Sequence, residues 1–288
     1  MKIVVTGASG FVGGHLVAEL VSRGHAVRAV ARDPVRLRAQ VWASRVELIG
    51  CDVGSPVSRL LWDEPPDALI HLAWPGLPNY RDSFHIECNL PADLRFIRGA
   101  LDAGVPHVMV AGTCLEYGMQ EGAHTDDADT KPCTPYGVAK DRLRRELFEW
   151  RRSREFTLQW MRLFYMHGPG QNPRSLLAQL DAAIDRGDDN FDMSPGDQRR
   201  DYLSIREVVC DLADTVESPK CSGIFNVCSG SPVTVADLVQ RRCRERGRFP
   251  TLNFGVHPYP DYEPFSFWGI PGRIAKIRER RARKAGGP

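Results

Sequence analysis

No apolar run in this chain approaches the roughly twenty residues a bilayer-spanning helix needs, so a membrane helix is not expected. Charge of one sign is also missing. With 38 lysines and arginines against 36 aspartates and glutamates, the net charge is only +2, and nothing global draws the chain to nucleic acid or to a membrane surface. The eight cysteines (51, 88, 114, 133, 210, 221, 228 and 243) form no C-x-x-C pair. That spacing supports neither a disulfide framework nor a zinc site, and reduced thiols are the expectation. No internal repeat is present. A strand pattern starting at Lys2 leaves no room for a leader peptide, so a cytoplasmic protein is expected. What remains is 288 residues of ordinary soluble composition, enough for one large domain or two small ones.

The organising stretch is the first one. Lys2-Ile3-Val4-Val5 reads as a buried parallel strand. It enters Thr6-Gly7-Ala8-Ser9-Gly10-Phe11-Val12-Gly13 and then the helical spacing of His15–Val21. Strand, glycine turn and helix together are the context of a phosphate-binding loop. Gly7 permits the turn, Gly10 admits a pyrophosphate close to the backbone, and Gly13 lets helix and strand pack. Free amides at the helix start then face the anion.

Further strands are predicted at Ala26–Ala31, Val46–Val53, Ala68–Ala73, His107–Ala111 and Thr157–Leu163. Helices are predicted at Arg81–Leu101 and Pro135–Arg152. This alternation to about residue 165 predicts an α/β fold with a doubly wound parallel sheet. Beyond Gly168-Pro169-Gly170 it weakens. A helix at Ser175–Arg186, a loop over 187–201, a strand at Ile224–Val227 and a helix capped by Thr234 suggest a smaller, irregular lobe. The expected division is 1–168, with returning segments near 202–230, for the nucleotide domain, and mainly 169–288 for the substrate lobe. The basic tail from Arg273 to Lys284 reads as a solvated helical end, with docking to an electrostatic partner as the alternative.

At the end of the second strand stand Ala31 and Arg32, where nucleotide folds often place an acid on the ribose 2′-hydroxyl. A guanidinium there suits a 2′-phosphate, so NADP is expected over NAD; the alternative is a solvated Arg32 with Asp33 on the hydroxyl. Tyr136 and Lys140 stand four apart, on one helical face. A nearby ammonium and an oxidised nicotinamide would both favour the phenolate, making an acid–base group. Thr113, closing the fifth strand, points its hydroxyl to the ligand edge of the sheet. His71 reads as a packing residue.

Taken together, Thr6-Gly7-x-x-Gly10-x-x-Gly13, Thr113 before Tyr117-Gly118, Tyr136-x-x-x-Lys140, Arg162–Pro169 and Arg200-Asp201-Tyr202 resemble the extended short-chain dehydrogenase/reductases. The branch is that of nucleotide-sugar epimerases, dehydratases and ketoreductases, and the likeness runs over almost the whole chain. It implies a Rossmann-type domain, a Thr113–Tyr136–Lys140 catalytic set and a nucleoside-diphosphate sugar as substrate. It implies that Ser9, Phe11 and Val12 join the three glycines on the cofactor. Asp52 and Val53 would lie by the adenine, Leu72 and Ala73 along the cofactor, and Asn89 beneath it, while Lys140 would hold the nicotinamide ribose. Trp74, Thr113, Cys114, Tyr136 and Tyr165 would line the sugar, with Arg200 on its diphosphate. The resemblance also suggests a homodimer through the helices around 81–103 and 135–152.

Departures narrow the expectation. The Asp-Glu pair that dehydratases carry after the threonine is Cys114-Leu115 here, which argues against elimination of water. An asparagine usual in the R-x-F-N segment is Tyr165. The leading expectation is NADPH-dependent reduction of a nucleotide-linked 4-keto-6-deoxyhexose; the alternatives are an epimerase and, remotely, a non-catalytic NADP-binding sensor.

Overall fold

The computed structural model describes residues 1–55 and 61–285. The chain begins β1 (Lys2–Thr6), α1 (Phe11–Ser22), β2 (Ala26–Ala31), the short α2 (Pro34–Arg38), β3 (Glu47–Gly50) and β4 (Ala68–His71). A π turn over His85–Asn89 leads into α3 (Leu90–Asp102), then β5 (His107–Thr113), β6 (Gly122–His124), α4 (Pro135–Ser153), β7 (Thr157–Leu163) and β8 (Tyr165–His167). The remainder is α5 (Leu176–Arg186), β9 (Asn190–Asp192), β10 (Arg199–Arg200), β11 (Tyr202–Ser204), α6 (Ile205–Val216) and β12 (Gly223–Val227). It closes with β13 (Val233–Thr234), α7 (Val235–Arg246), β14 (Thr251–Asn253), β15 (Phe267–Gly269) and α8 (Gly272–Ala285).

Seven of these strands make one parallel sheet in the order β12-β7-β5-β4-β1-β2-β3. This is the expected doubly wound, Rossmann-type sheet. The chain runs outward from β1 through β2 and β3, then returns to β1's other side with β4. The reversal puts a crevice at the carboxyl ends of β1 and β4, where Thr6 pairs with His71. Ile3, Val4 and Val5 are buried because helices cover both faces of the sheet. Leu16, Val17 and Leu20 of α1 share one core with Val208 and Leu212 of α6. Phe96 and Ile97 of α3 share the other with Leu143 and Leu147 of α4. Each such buried leucine or phenylalanine stabilises the fold by about 1.5–3 kcal/mol.

Several boundaries differ from the sequence expectation. Strand β4 stops at His71 because the amides of Leu72 and Ala73 donate to the Thr6 hydroxyl, both at 3.2 Å, and so leave the ladder. Strand β3 ends at Gly50, two residues before Asp52. The segment 187–201 is not all loop. Its β9 pairs with β14 and its β10 with β13, partners so far along the chain that local patterning does not reveal them. Around them α5 and α7 share a separate small core of Leu180, Met193 and Val239. The basic tail is not a solvated end. Ile274 and Ile277 of α8 are buried in the α1–α6 core, and Arg278 holds the buried Asp211 at 2.6 Å. Among the described residues no helix is long and apolar enough to cross a membrane.

Candidate active site

The glycine turn leaves β1 at Gly7, whose φ of +67° favours glycine. A Cβ on Gly13 would stand 2.2 Å from the Gly7 carbonyl oxygen, and one on Gly7 would stand 2.8 Å from the Ala73 amide nitrogen. The turn is therefore closed by backbone on both sides. Gly10 is the N-cap of α1, with no side chain bonded to the first-turn amides and no acidic residue in that turn. A twelve-residue helix that opens on bare amides beside a close-packed glycine backbone fits a pyrophosphate. Ser9, Phe11 and Val12 are half-buried around it.

At the end of β2, Arg32 is exposed and, among the described residues, no carboxylate pairs with it. Asp33 is engaged elsewhere: its carboxylate accepts from the amides of Val35 and Arg36 at 2.9 and 3.2 Å and caps α2. Asp52 is exposed and Val53 buried beyond β3, and Leu72 and Ala73 are half-buried beyond β4. Asn89 is buried and donates to the Pro75 carbonyl at 3.0 Å. Of these, Ala73 packs directly against the glycine turn, where a Cβ on Gly7 would meet its amide.

His71 does more than pack. Its Nδ1 lies 2.9 Å from the Thr6 hydroxyl, and its Nε2 lies 3.0 Å from Asp93 Oδ2, though poorly aligned for a hydrogen bond. All three side chains are essentially inaccessible. The link ties the glycine turn to α3.

Thr113 closes β5 and caps the 3-10 turn Cys114–Tyr117: its hydroxyl accepts from the Leu115 amide at 3.2 Å. Its own amide donates to Glu116 Oε1 at 2.9 Å. Glu116 also accepts from the Trp160 indole at 3.0 Å and from Arg162 Nε at 2.7 Å, in a fully buried ion pair. Arg162 in turn donates to the Tyr117 hydroxyl at 2.8 Å. Sequence reasoning missed this network, since nothing in residue spacing tells a buried glutamate from an exposed one.

Tyr136 enters α4 in its first turn. Pro135 pre-sets the backbone there, and the Thr134 hydroxyl accepts from the Gly137 amide at 3.1 Å. The phenol is buried beside the Thr113 side chain and is ringed by Trp74, Tyr80 and His85 at 5.7, 5.5 and 5.3 Å between centroids. Burial holds its pKa well above the usual tyrosine range, with the neighbouring Thr113 hydroxyl pulling the other way. The lowering expected from Lys140 is not the dominant effect here. One turn on, the Lys140 ammonium sits 3.8 Å over the Trp74 ring, and burial pushes its pKa down to about 8 against the pull of Asp93 and Glu116.

On the far side stand Cys114, Tyr165 and Arg200. The Cys114 thiol is raised by burial and is no nucleophile at neutral pH. Arg200 is buried and already has three acceptors: the carbonyls of Arg199 and Phe265 at 2.9 and 3.0 Å and Glu263 Oε2 at 3.2 Å. A diphosphate would have to displace Glu263, a residue that local pattern did not single out. An open groove of about 460 Å³ is lined by Tyr80, which packs near Tyr136, and by Pro78, Asn79, Arg81, Asp82 and Tyr262.

With this geometry in hand, the comparisons are specific. Residues 3–228 match the profile of the NAD dependent epimerase/dehydratase family. A dTDP-6-deoxy-L-talose 4-dehydrogenase (NAD(+)) of Aggregatibacter actinomycetemcomitans is 29% identical over 93% of this chain and 99% of its own. A GDP-6-deoxy-D-mannose reductase of Pseudomonas aeruginosa is 26% identical over 83% of this chain and 78% of its own. The structure of MoeE5 in complex with UDP-glucuronic acid and NAD is 30% identical, covers 96% of this chain and 92% of its own, and superposes with a TM-score of 0.81. Its NAD does not support the NADP preference expected from Arg32, because an exposed arginine at a strand end does not by itself make a 2′-phosphate site. Sheet, glycine turn and matched residues agree: the chain belongs to the NAD-dependent epimerase/dehydratase family, within the extended short-chain dehydrogenase/reductases.

Proposed function

We propose that the protein is a nicotinamide-dependent 4-dehydrogenase, or 4-ketoreductase in the reverse sense, of a nucleotide-linked 6-deoxyhexose. The observation that carries this reading is that Thr113, at the carboxyl end of β5, and Tyr136, at the start of α4, are buried side by side, with Lys140 one turn on. The names of two similar proteins, a 6-deoxytalose 4-dehydrogenase and a 6-deoxymannose reductase, support the substrate class. Gly7, Gly10 and Gly13 with the α1 amides would hold the pyrophosphate, and Leu72, Ala73 and Lys140 the nicotinamide half. When bound, the nicotinamide would supply or take up the hydride. Tyr136 gives the proton to the sugar oxygen or takes it back, and Thr113 orients that oxygen. At neutral pH the phenol is protonated, the form from which the reductive direction starts.

The NAD of the similar structure and the NAD(+) in the relative's name support NAD as the cofactor. Arg32 is the residue that would admit NADP. We assign the cofactor to residues 1–168 with the returning segments near 202–230, and the sugar to the later lobe. A homodimer would pair the faces of α3 and α4, which the cation–π contact of Arg98 on Trp150, 4.5 Å, ties together within one chain.

Replacing Tyr136 with Phe is expected to keep cofactor binding and lower turnover by about 10²–10⁴-fold. A fully active variant would remove the phenol from the mechanism. The family itself supports a second reading, an epimerase, in which turnover of a nucleotide hexose leaves the nicotinamide absorbance unchanged.

A further inference from the structure

Trp74 follows β4 by three residues and touches both members of the Tyr136–Lys140 pair. We propose that Trp74 is a positioning residue, whose indole holds the Lys140 ammonium and the Tyr136 ring in fixed relation for proton transfer. The inference rests on the reading that this pair carries the proton chemistry. The ammonium lies 3.8 Å from the indole centroid, well inside the roughly 6 Å range of cation–π attraction. Tyr136 meets the same indole edge-on, at 5.7 Å and 68° between planes. The indole is itself tethered. Its Nε1 donates to His85 Nδ1 at 3.0 Å, and the two rings stack at 20°. His85 Nε2 lies 3.0 Å from the Asn79 carbonyl, which makes that nitrogen the donor and Nδ1 the acceptor. Burial lowers the His85 pKa and keeps the ring neutral, as this pattern requires.

The groups facing Lys140 come from every element packed around it. Asp93 of α3 and Glu116 of the turn after β5 favour its charge, Tyr136 stands one turn back on α4, and His85 of the π turn is neutral. Among the described residues neither carboxylate forms an ion pair with Lys140: Asp93 faces His71, and Glu116 faces Arg162 and Arg144. The π face, 3.8 Å away, is therefore a direct stabilising contact of a buried cation whose pKa is lowered to about 8. Leucine at position 74 would keep the site dry and remove the quadrupole, so the cation would lose stability. Phenylalanine would keep a ring face and lose only the N–H.

The chain has six lysines, so ¹³Cε-lysine NMR can resolve Lys140, assigned by its loss in Lys140→Met. In the wild type its resonance is expected to carry an upfield ring-current shift and to titrate near pH 8. Trp74→Leu should abolish that shift and move the midpoint down by about one pH unit, while Trp74→Phe retains most of both. The basic limb of kcat/KM should move down with the midpoint in Trp74→Leu, with kcat affected more than KM for the nucleotide sugar. A Lys140 resonance and midpoint unchanged in Trp74→Leu would overturn the proposal. The NMR arm decides this even if no nucleotide sugar is turned over, an outcome that would overturn the proposed function.

Discussion

Glu116 is the place where stability and chemistry are most tightly joined. Its carboxylate accepts from Thr113 N, Trp160 Nε1 and Arg162 Nε at 2.9, 3.0 and 2.7 Å, with both charged side chains out of reach of water. Glu116→Ala leaves the Arg162 guanidinium with the Tyr117 hydroxyl and the Asp126 carbonyl but no counter-charge. Breaking a buried pair from one side costs about 3–5 kcal/mol. The orphaned amide and indole donors add about 1–3 kcal/mol each, less than additively. Against a total of about 5–15 kcal/mol, that loss leaves a marginal fold. Urea unfolding followed by tryptophan fluorescence should show the midpoint falling by about 1–2 M, taking a slope near 3 kcal/mol/M for a chain of this size. Glu116→Leu combined with Arg162→Met should recover most of the stability, because it removes both charges together. It should not recover turnover, since the amide bond that fixes Thr113 is still missing. A loss under about 1 kcal/mol in Glu116→Ala would refute the reasoning, for the pair would then be solvated rather than buried.

Three other outcomes follow from the geometry. Gly13→Ala puts a methyl 2.2 Å from a backbone oxygen, so the turn must open; NADH affinity measured by fluorescence should fall at least about tenfold and stability by about 1–3 kcal/mol, and an affinity within twofold of wild type would contradict the closed turn. Arg32→Ala should weaken NADPH binding by about tenfold and leave NADH binding unchanged in the same titration; equal losses for both would mean that Arg32 does not meet a 2′-phosphate. The Lys140 pKa is depressed from 10.5 to about 8, so between those values the unfolded chain binds the proton that the folded chain has released. The lysine therefore destabilises the fold below pH 8, and that penalty, on the order of 3 kcal/mol, is relieved as pH rises toward 10.5. Measured as urea midpoints, the advantage of Lys140→Met over wild type should shrink across this window; an advantage constant with pH would show that the site is hydrated.

What the sequence by itself determined is whatever depends on local chain geometry. The β-branched run at Ile3–Val5, the glycines at 7, 10 and 13, the Thr134-Pro135 helix start and the four-residue spacing of Tyr136 and Lys140 each follow from backbone sterics and periodicity, and with the strand–helix alternation they made the doubly wound sheet legible. Tertiary structure alone decided which charges are buried and what they face. Arg200 lies on Glu263, sixty-odd residues away. Glu116 neutralises Arg162, Lys140 sits on Trp74, and the basic tail docks through Ile274 and Ile277 instead of lying in water. A side chain's charge is written in its residue name, but its partner and its access to water are set by segments that meet only when the sheet has closed. Those two quantities fix how the site can move a proton.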